Sequence, residues 1–256
     1  LKDKLIVALD VPTLEAAGDL VRQLSGVVRW FKVGLELFVA EGPRAFDEVF
    51  AAGARHVFFD GKLHDIPNTV AGAARAAARH GVTMFNVHAL GGVEMMHAAL
   101  EAAEQVRGAS RPKVIGVTIL TSLDQPTMNR ELCISGTVET QVAHLARLVQ
   151  QAGLDGVVCS PQEIAAVRAA CGDGFLIVTP GVRPAWAARG DQRRVMTPAE
   201  AVAAGADYIV VGRPITHAPN PVEAAERVLS ELGGEWLSEQ EEIQKTDGSA
   251  NVERDK

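Results

Sequence analysis

The sequence predicts an α/β fold: a (β/α)8 TIM barrel, built as a single domain over residues 1–236. Three observations carry that prediction. Eight short, apolar, β-branched runs recur along the chain. They are continuous rather than alternating, as strands buried on both faces are. Alanine-rich helical patterns lie between them, and 256 residues are enough for a barrel of this kind. An open, doubly wound sheet alternates in the same way. No Gly-rich dinucleotide fingerprint follows the first strand, which weakens that alternative.

In chain order the strands read "LIVALD" (5–10), "RWFKVG" (29–34), "HVFFD" (56–60), "TMFNVHA" (83–89), "KVIGVTIL" (113–120), "DGVVCS" (155–160), "FLIVTP" (175–180) and "DYIVVG" (207–212). The clearest helical patterns cover 13–24, 70–81, 91–106, 137–153, 160–172 and 197–206. Several end in glycine just before the next strand, where a helix C-terminus is expected. In the helix at 91–106, Met95 and Met96 fit a face buried against the barrel. Residues 237–256 are polar, charged and aperiodic, and are expected to form a disordered tail.

Composition narrows the function. Hydrophobic residues make up 47 % of the chain, and no apolar run approaches the ~18 residues of a membrane span. The N-terminus enters a strand without a signal-peptide pattern. Cys133, Cys159 and Cys171 have no CxxC spacing. That argues against a zinc site or a disulfide framework and for a reducing compartment, so a cytoplasmic location is expected. A formal net charge of −7 disfavours nucleic acid as a partner, although local basic residues can still bind a small anion.

Catalytic groups of such barrels sit at the C-terminal ends of the strands. Asp10 ends the first strand and Lys32 lies in the second. The third ends with Asp60, Gly61 and Lys62, and alternation turns Asp60 and Lys62 the same way. Asp65 follows in the loop, where Pro67 and Asn68 support a turn. Clustered charges are more often a solvated surface. Here the groups come from three strands and converge on one end of the barrel, which favours a site.

The opposite side looks built for phosphate. The eighth strand ends in "VVGRPIT", with Gly212 and Arg213; the seventh ends in "TPGVRP", with Arg183, and Gln192 follows. Phosphate often binds at the loops after strands seven and eight, and arginine can fork onto its oxygens. His64 and His88 lack metal-ligand spacing and read as packing or hydrogen-bonding residues. Thr121 and Ser122 either contact a ligand or cap the next segment.

Together these residues resemble the orotidine 5'-phosphate decarboxylase family in its bacterial form. "DGKLHDIPNT" resembles that family's Asp-x-Lys-x-x-Asp-Ile-Pro-Asn-Thr signature. The likeness extends through "FKVGLELF", "NVHALGG", "VTILTSL", "GLDGVVCSP", "VTPGVRP" and "DQRRVMTP" to "VGRPIT". The resemblance implies a barrel homodimer that uses no metal or cofactor and converts orotidine 5'-phosphate to UMP in pyrimidine synthesis. It makes Lys62 the proton donor and sets Asp60 against the substrate carboxylate. Asp65 and Thr69 reach the neighbouring site across the dimer, and Lys32 completes the charged array. Asp10 and Lys32 contact the ribose, Thr121 the pyrimidine, and Arg183, Gln192, Gly212 and Arg213 the phosphate.

One residue departs from the pattern. The family usually carries a bulky apolar residue where this chain has Gly61. Alternation points that position toward the helices, so lost packing of about 1–3 kcal/mol and a looser strand end are expected. Two other readings remain. Magnesium-dependent relatives, such as 3-keto-gulonate-phosphate decarboxylase and hexulose-phosphate synthase, share the Asp-x-Lys-x-x-Asp core but place an acid where Lys32 stands. A non-catalytic ribose-phosphate-binding protein would keep the pocket alone.

Overall fold

The computed structural model describes residues 1–187 and 196–233. Gln192 and the tail at 237–256 lie outside the described residues. The eight strands are β1 (Leu5–Ala8), β2 (Trp30–Val33), β3 (His56–Leu63), β4 (Met84–His88), β5 (Lys113–Val117), β6 (Gly156–Val158), β7 (Leu176–Pro180) and β8 (Tyr208–Val211). They pair in chain order, all parallel, and β8 closes the barrel on β1. All eight predicted strands form.

Period-two alternation splits the strand side chains between two apolar regions. Ile6, Ala8, Trp30, Phe58, Met84, Ile115, Val178 and Val210 fill the barrel interior. Their sequence neighbours, among them Val7, Phe31, Val57, Phe59, Phe85, Ile177 and Ile209, pack outward against the helices. Trp30 stacks on His56 with ring centroids 4.5 Å apart and meets Tyr208 edge-on at 5.2 Å, filling the end where the strands begin.

The helices are α1 (Leu14–Leu24), α2 (Leu35–Glu41), α3 (Arg44–Ala51), α4 (Pro67–Arg79), α5 (Gly92–Arg107), α6 (Val138–Gln151), α7 (Ile164–Cys171), α8 (Pro198–Ala203), α9 (Arg213–Thr216) and α10 (Pro221–Gly233). The six helices singled out in the sequence are all present. Threonines cap three of them, and α6 and α8 start with reciprocal capping boxes at Thr137–Thr140 and Thr197–Glu200. Gly81, Gly153, Gly172 and Gly205 end helices with φ between 78° and 111°, a left-handed stop that favours glycine. Met95 and Met96 are buried as expected.

Two local expectations change. Pro67 and Asn68 do not make a turn; Pro67 is the first residue of α4, where its missing N–H costs nothing. The β2–β3 connection, not singled out as helical, holds α2 and α3, two short helices separated at Gly42–Pro43. Among the described residues, no helix is long and apolar enough to cross a membrane.

Candidate active site

The apolar interior stops one layer below the C-terminal end of the barrel. Two residues beyond Ala8, Trp30, Phe58 and Met84, the same inward face carries Asp10, Lys32, Asp60 and Asn86. Alternation alone therefore places four polar groups above a greasy floor.

Lys32 is 8 % exposed and joins two of them. Its Nζ lies 2.9 Å from Asp10 Oδ1 and 3.4 Å from Asp60 Oδ2. Asp60 Oδ1 accepts from Lys62 Nζ at 2.7 Å and from Asn86 Nδ2 at 2.7 Å. The result is a chain of alternating charge: Asp10, Lys32, Asp60, Lys62. Attraction between unit charges ~3 Å apart is about 5 kcal/mol at an effective dielectric near 20, and desolvation offsets much of it. Burial is the largest single influence on both Lys32 and Asp60, and it favours their neutral forms. The ion pairs outweigh it: Lys32, beside Asp60 and Asp10, is held above the usual lysine range. Asp60, beside Lys32 and Lys62, is held below the usual carboxylate range. Both are charged at neutral pH.

Lys62 reaches Asp60 by a different route from the one expected. Simple alternation ends at Asp60. Lys62 has φ 48°, a left-handed backbone that costs a non-glycine residue about 1–2 kcal/mol. The β3–β4 register shifts between Phe59 and Leu63 at the same place. Lys62 N–H donates to Asn86 Oδ1 at 2.7 Å.

Gly61 does not leave a void. A Cβ there would stand 2.5 Å from Phe59 Cζ and 2.8 Å from Cε1. The Phe59 ring fills the space that a larger residue 61 would take, and packs on Phe38 and Phe46 at 4.6 and 5.1 Å. The expected loss of packing is therefore absent. Gly34 has a similar role that the sequence reading missed. A Cβ there would lie 2.7 Å from Lys32 Nζ and 2.9 Å from Asp10 Oδ1, in the space the ion pair occupies.

A cavity of about 190 Å³ joins this array to the residues expected to bind phosphate. Asp10, Lys32 and Asp60 line one side; Arg183, Gly212 and Arg213 line the other. Gly181, with φ 79°, turns the chain out of β7 toward Arg183. The Arg183 amide donates to Met196 O at 2.9 Å and so ties the described ends of that loop together. Gly212 and Arg213 begin α9. Thr121 is not among the residues lining this cavity; it follows β5 in a turn closed by Leu123 N to Leu120 O at 2.9 Å. In the segment that follows, Asp124 Oδ1 accepts from Thr127 N at 3.0 Å.

Asp65 and Thr69 are not brought into the array. Both are exposed at the start of α4, and Asp65 Oδ1 accepts from Ile66 N at 2.6 Å. His64 and His88 stack with centroids 5.2 Å apart, and His88 Nδ1 accepts from Leu90 N at 3.4 Å. Burial, then His64 and Lys62, push the His88 imidazole down to about 4. Among the described residues, no group of three or more His, Cys, Asp or Glu is arranged to hold a metal ion.

Asn86 was missed for a simple reason. "TMFNVHA" reads as a buried strand, and an amide shows no charge pattern. Its signal is positional: it is the inward residue two beyond Met84, in the layer of Lys32 and Asp60.

Comparison with known proteins agrees with this geometry. The family model for "Orotidine 5'-phosphate decarboxylase / HUMPS family" matches residues 3–228. A protein of Moorella thermoacetica named orotidine 5'-phosphate decarboxylase is 58 % identical over 234 residues, covering 90 % of this chain and 92 % of its own. One of the same name from Heliobacterium modesticaldum is 50 % identical, covering 90 % and 96 %. The crystal structure of orotidine 5'-phosphate decarboxylase from Lactobacillus acidophilus superposes with a TM-score of 0.79 at 38 % identity, covering 90 % of this chain and 99 % of that one. The chain belongs to the orotidine 5'-phosphate decarboxylase / HUMPS family.

Proposed function

We propose that the chain converts orotidine 5'-phosphate to UMP and carbon dioxide, the reaction for which its relatives are named, as a step of pyrimidine biosynthesis. One observation carries the reading: an ammonium, Lys62 Nζ, held 2.7 Å from Asp60 at the end of an alternating charge chain that borders a cavity ending in two arginines.

The chemistry needs such an arrangement. When the bond from C6 to the carboxylate breaks, its electron pair stays on C6 and no adjacent carbonyl delocalises it. Lys62 supplies positive charge beside that carbon and then its proton, and the resulting amine recovers a proton from water. Asp60 faces the departing carboxylate, so repulsion present in the substrate is relieved as neutral carbon dioxide leaves. Lys32 orients Asp60 and, with Asp10, meets the ribose, while Thr121 contacts the pyrimidine. Arg183, Gln192, Gly212 and Arg213 hold the phosphate, whose binding energy serves the distant reacting centre. Lys32 also separates this chain from magnesium-dependent relatives, because its ammonium stands between Asp10 and Asp60, where a divalent cation would be repelled.

The working unit is a homodimer in which Asp65 and Thr69 enter the partner's site. Exposed apolar residues support this. Val39 and Ile66 are 79 % and 68 % exposed, and with Leu35, Leu90, Leu120 and Leu132 they follow strands β2 to β5 on the catalytic side. Three free cysteines fit a reducing, cytoplasmic setting.

The test is an absorbance assay for loss of orotidine 5'-phosphate, with and without a chelator. Turnover is expected in both. Lys62→Ala should abolish it while leaving the thermal melt intact. Near-normal turnover in that variant would end the proposal, and activity lost to the chelator would move the reading to the magnesium-dependent branch.

A further inference from the structure

Asn86 is 0 % exposed, and both ends of its amide are spent on the strand that carries Asp60 and Lys62. A buried amide is tolerated when its polar atoms are bonded. Here the partners are unusual, because neither is a regular ladder contact. Phe58 pairs with Met84 and Phe59 with Phe85; the next paired residues are Leu63 and Val87. Between them the β3–β4 register shifts, and β3 turns left-handed at Lys62. Asn86 Oδ1 takes the Lys62 N–H at 2.7 Å, and Nδ2 reaches Asp60 Oδ1 at 2.7 Å. A flipped amide would set donor against donor and oxygen against carboxylate, so the orientation is determined by its partners. Lys62 Nζ bonds the same Asp60 oxygen, closing a ring through backbone, ammonium, carboxylate and amide.

We propose that Asn86 is a positioning residue for the decarboxylation: it holds the left-handed backbone that aims the Lys62 ammonium and fixes the carboxylate that opposes the substrate. This rests on the decarboxylase reading above. Neutrality is part of the role. A charged group at this position would face Asp60 and Lys62 on β3 and, beyond Asp60, Lys32 on β2, while on β5 it is paired with apolar Ile115. An amide bonds Asp60 without disturbing that balance of charge.

Three measurements test the proposal. The first is independent of activity: hydrogen exchange at the Lys62 amide. Protection is expected in the wild type and should be lost in Asn86→Ala. The second is kinetic. Asn86→Ala should lower kcat about 100-fold, the scale of an ~1 Å misplacement, while the affinity for UMP changes less than about 3-fold. The third is a pH profile of Asn86→Asp. Ionised, that residue sets oxygen against Asp60; protonated, it can donate to Asp60 and accept from Lys62. Its kcat should therefore rise as pH falls, relative to the wild type. An unprotected wild-type amide, kcat within about 3-fold of wild type in both variants, or parallel loss of kcat and UMP affinity with no pH effect would each overturn the proposal. A wild type that protects the amide but does not consume orotidine 5'-phosphate would refute the decarboxylase reading and the catalytic role with it, leaving the bond itself established.

Discussion

Replacing Gly61 with leucine should destabilise this protein. An added Cβ would stand 2.5, 2.8 and 3.1 Å from three carbons of the Phe59 ring. Normal carbon contacts are about 3.5–4.0 Å. The ring must retreat about 1 Å to admit the Cβ alone, and leucine brings three further carbons. Phe59 is 5 % exposed, with Phe38 and Phe46 behind it, so little free space takes up the movement. Overpacking of a filled core costs about 1–3 kcal/mol. For a chain of this size each kcal/mol lowers Tm by roughly 2–4 °C, which gives a fall of about 2–12 °C. Scanning calorimetry measures it. Phe59→Leu should relieve the clash, so the double variant should melt higher than the two single effects predict, by a coupling of about 1 kcal/mol or more. Because residue 61 lies between Asp60 and Lys62, kcat should fall with Tm in the single variant. A Gly61→Leu protein that melts at or above the wild-type temperature, or strict additivity with Phe59→Leu, would refute the claim that Phe59 fills this space.

The site makes further predictions. His88, held down to about 4 against an ordinary 6.5, binds its proton in the unfolded chain first, so its contribution is complete above pH 6.5 and is lost as pH falls toward 4. The loss is about 1–2 kcal/mol once partial solvent screening is allowed for; urea unfolding between pH 7 and 4.5 should show a shallower slope for His88→Asn, and an identical slope would contradict the assignment. Arg213→Ala should weaken UMP about 10- to 100-fold, the range for a charge-assisted bond, and leave uridine nearly unchanged; equal losses would place the anion elsewhere. If the proposed homodimer is the working unit, Ile66→Glu should shift the mass measured by light scattering from dimer to monomer and remove activity with it, because the proposal puts Asp65 and Thr69 in the partner's site. A fully active monomer would refute that arrangement.

Most of the scaffold is legible in the sequence. Continuous apolar runs identify strands covered on both faces, and left-handed glycines at the ends of helices mark the returns. Asp10, Lys32 and Asp60 were legible because alternation and chain order put them at one end of neighbouring strands. The short helices α2 and α3 were not, since seven and eight residues carry little periodicity. The conformation at Lys62 was also hidden: nothing in "DGKL" announces that the β3–β4 register shifts between Phe59 and Leu63.

By itself the sequence determined the barrel, the order of its strands and the charges carried to their catalytic ends. Those features depend on period and burial, which are local properties of a chain. Only the tertiary structure decided how the charges meet. Lys62 is aimed by a left-handed backbone bonded to an amide 24 residues away, and the space at Gly61 is taken by the ring of Phe59. Contacts of that kind depend on how a closed sheet brings neighbouring strands together and on which side chains reach a given space first. Hydrophobic periodicity does not encode either.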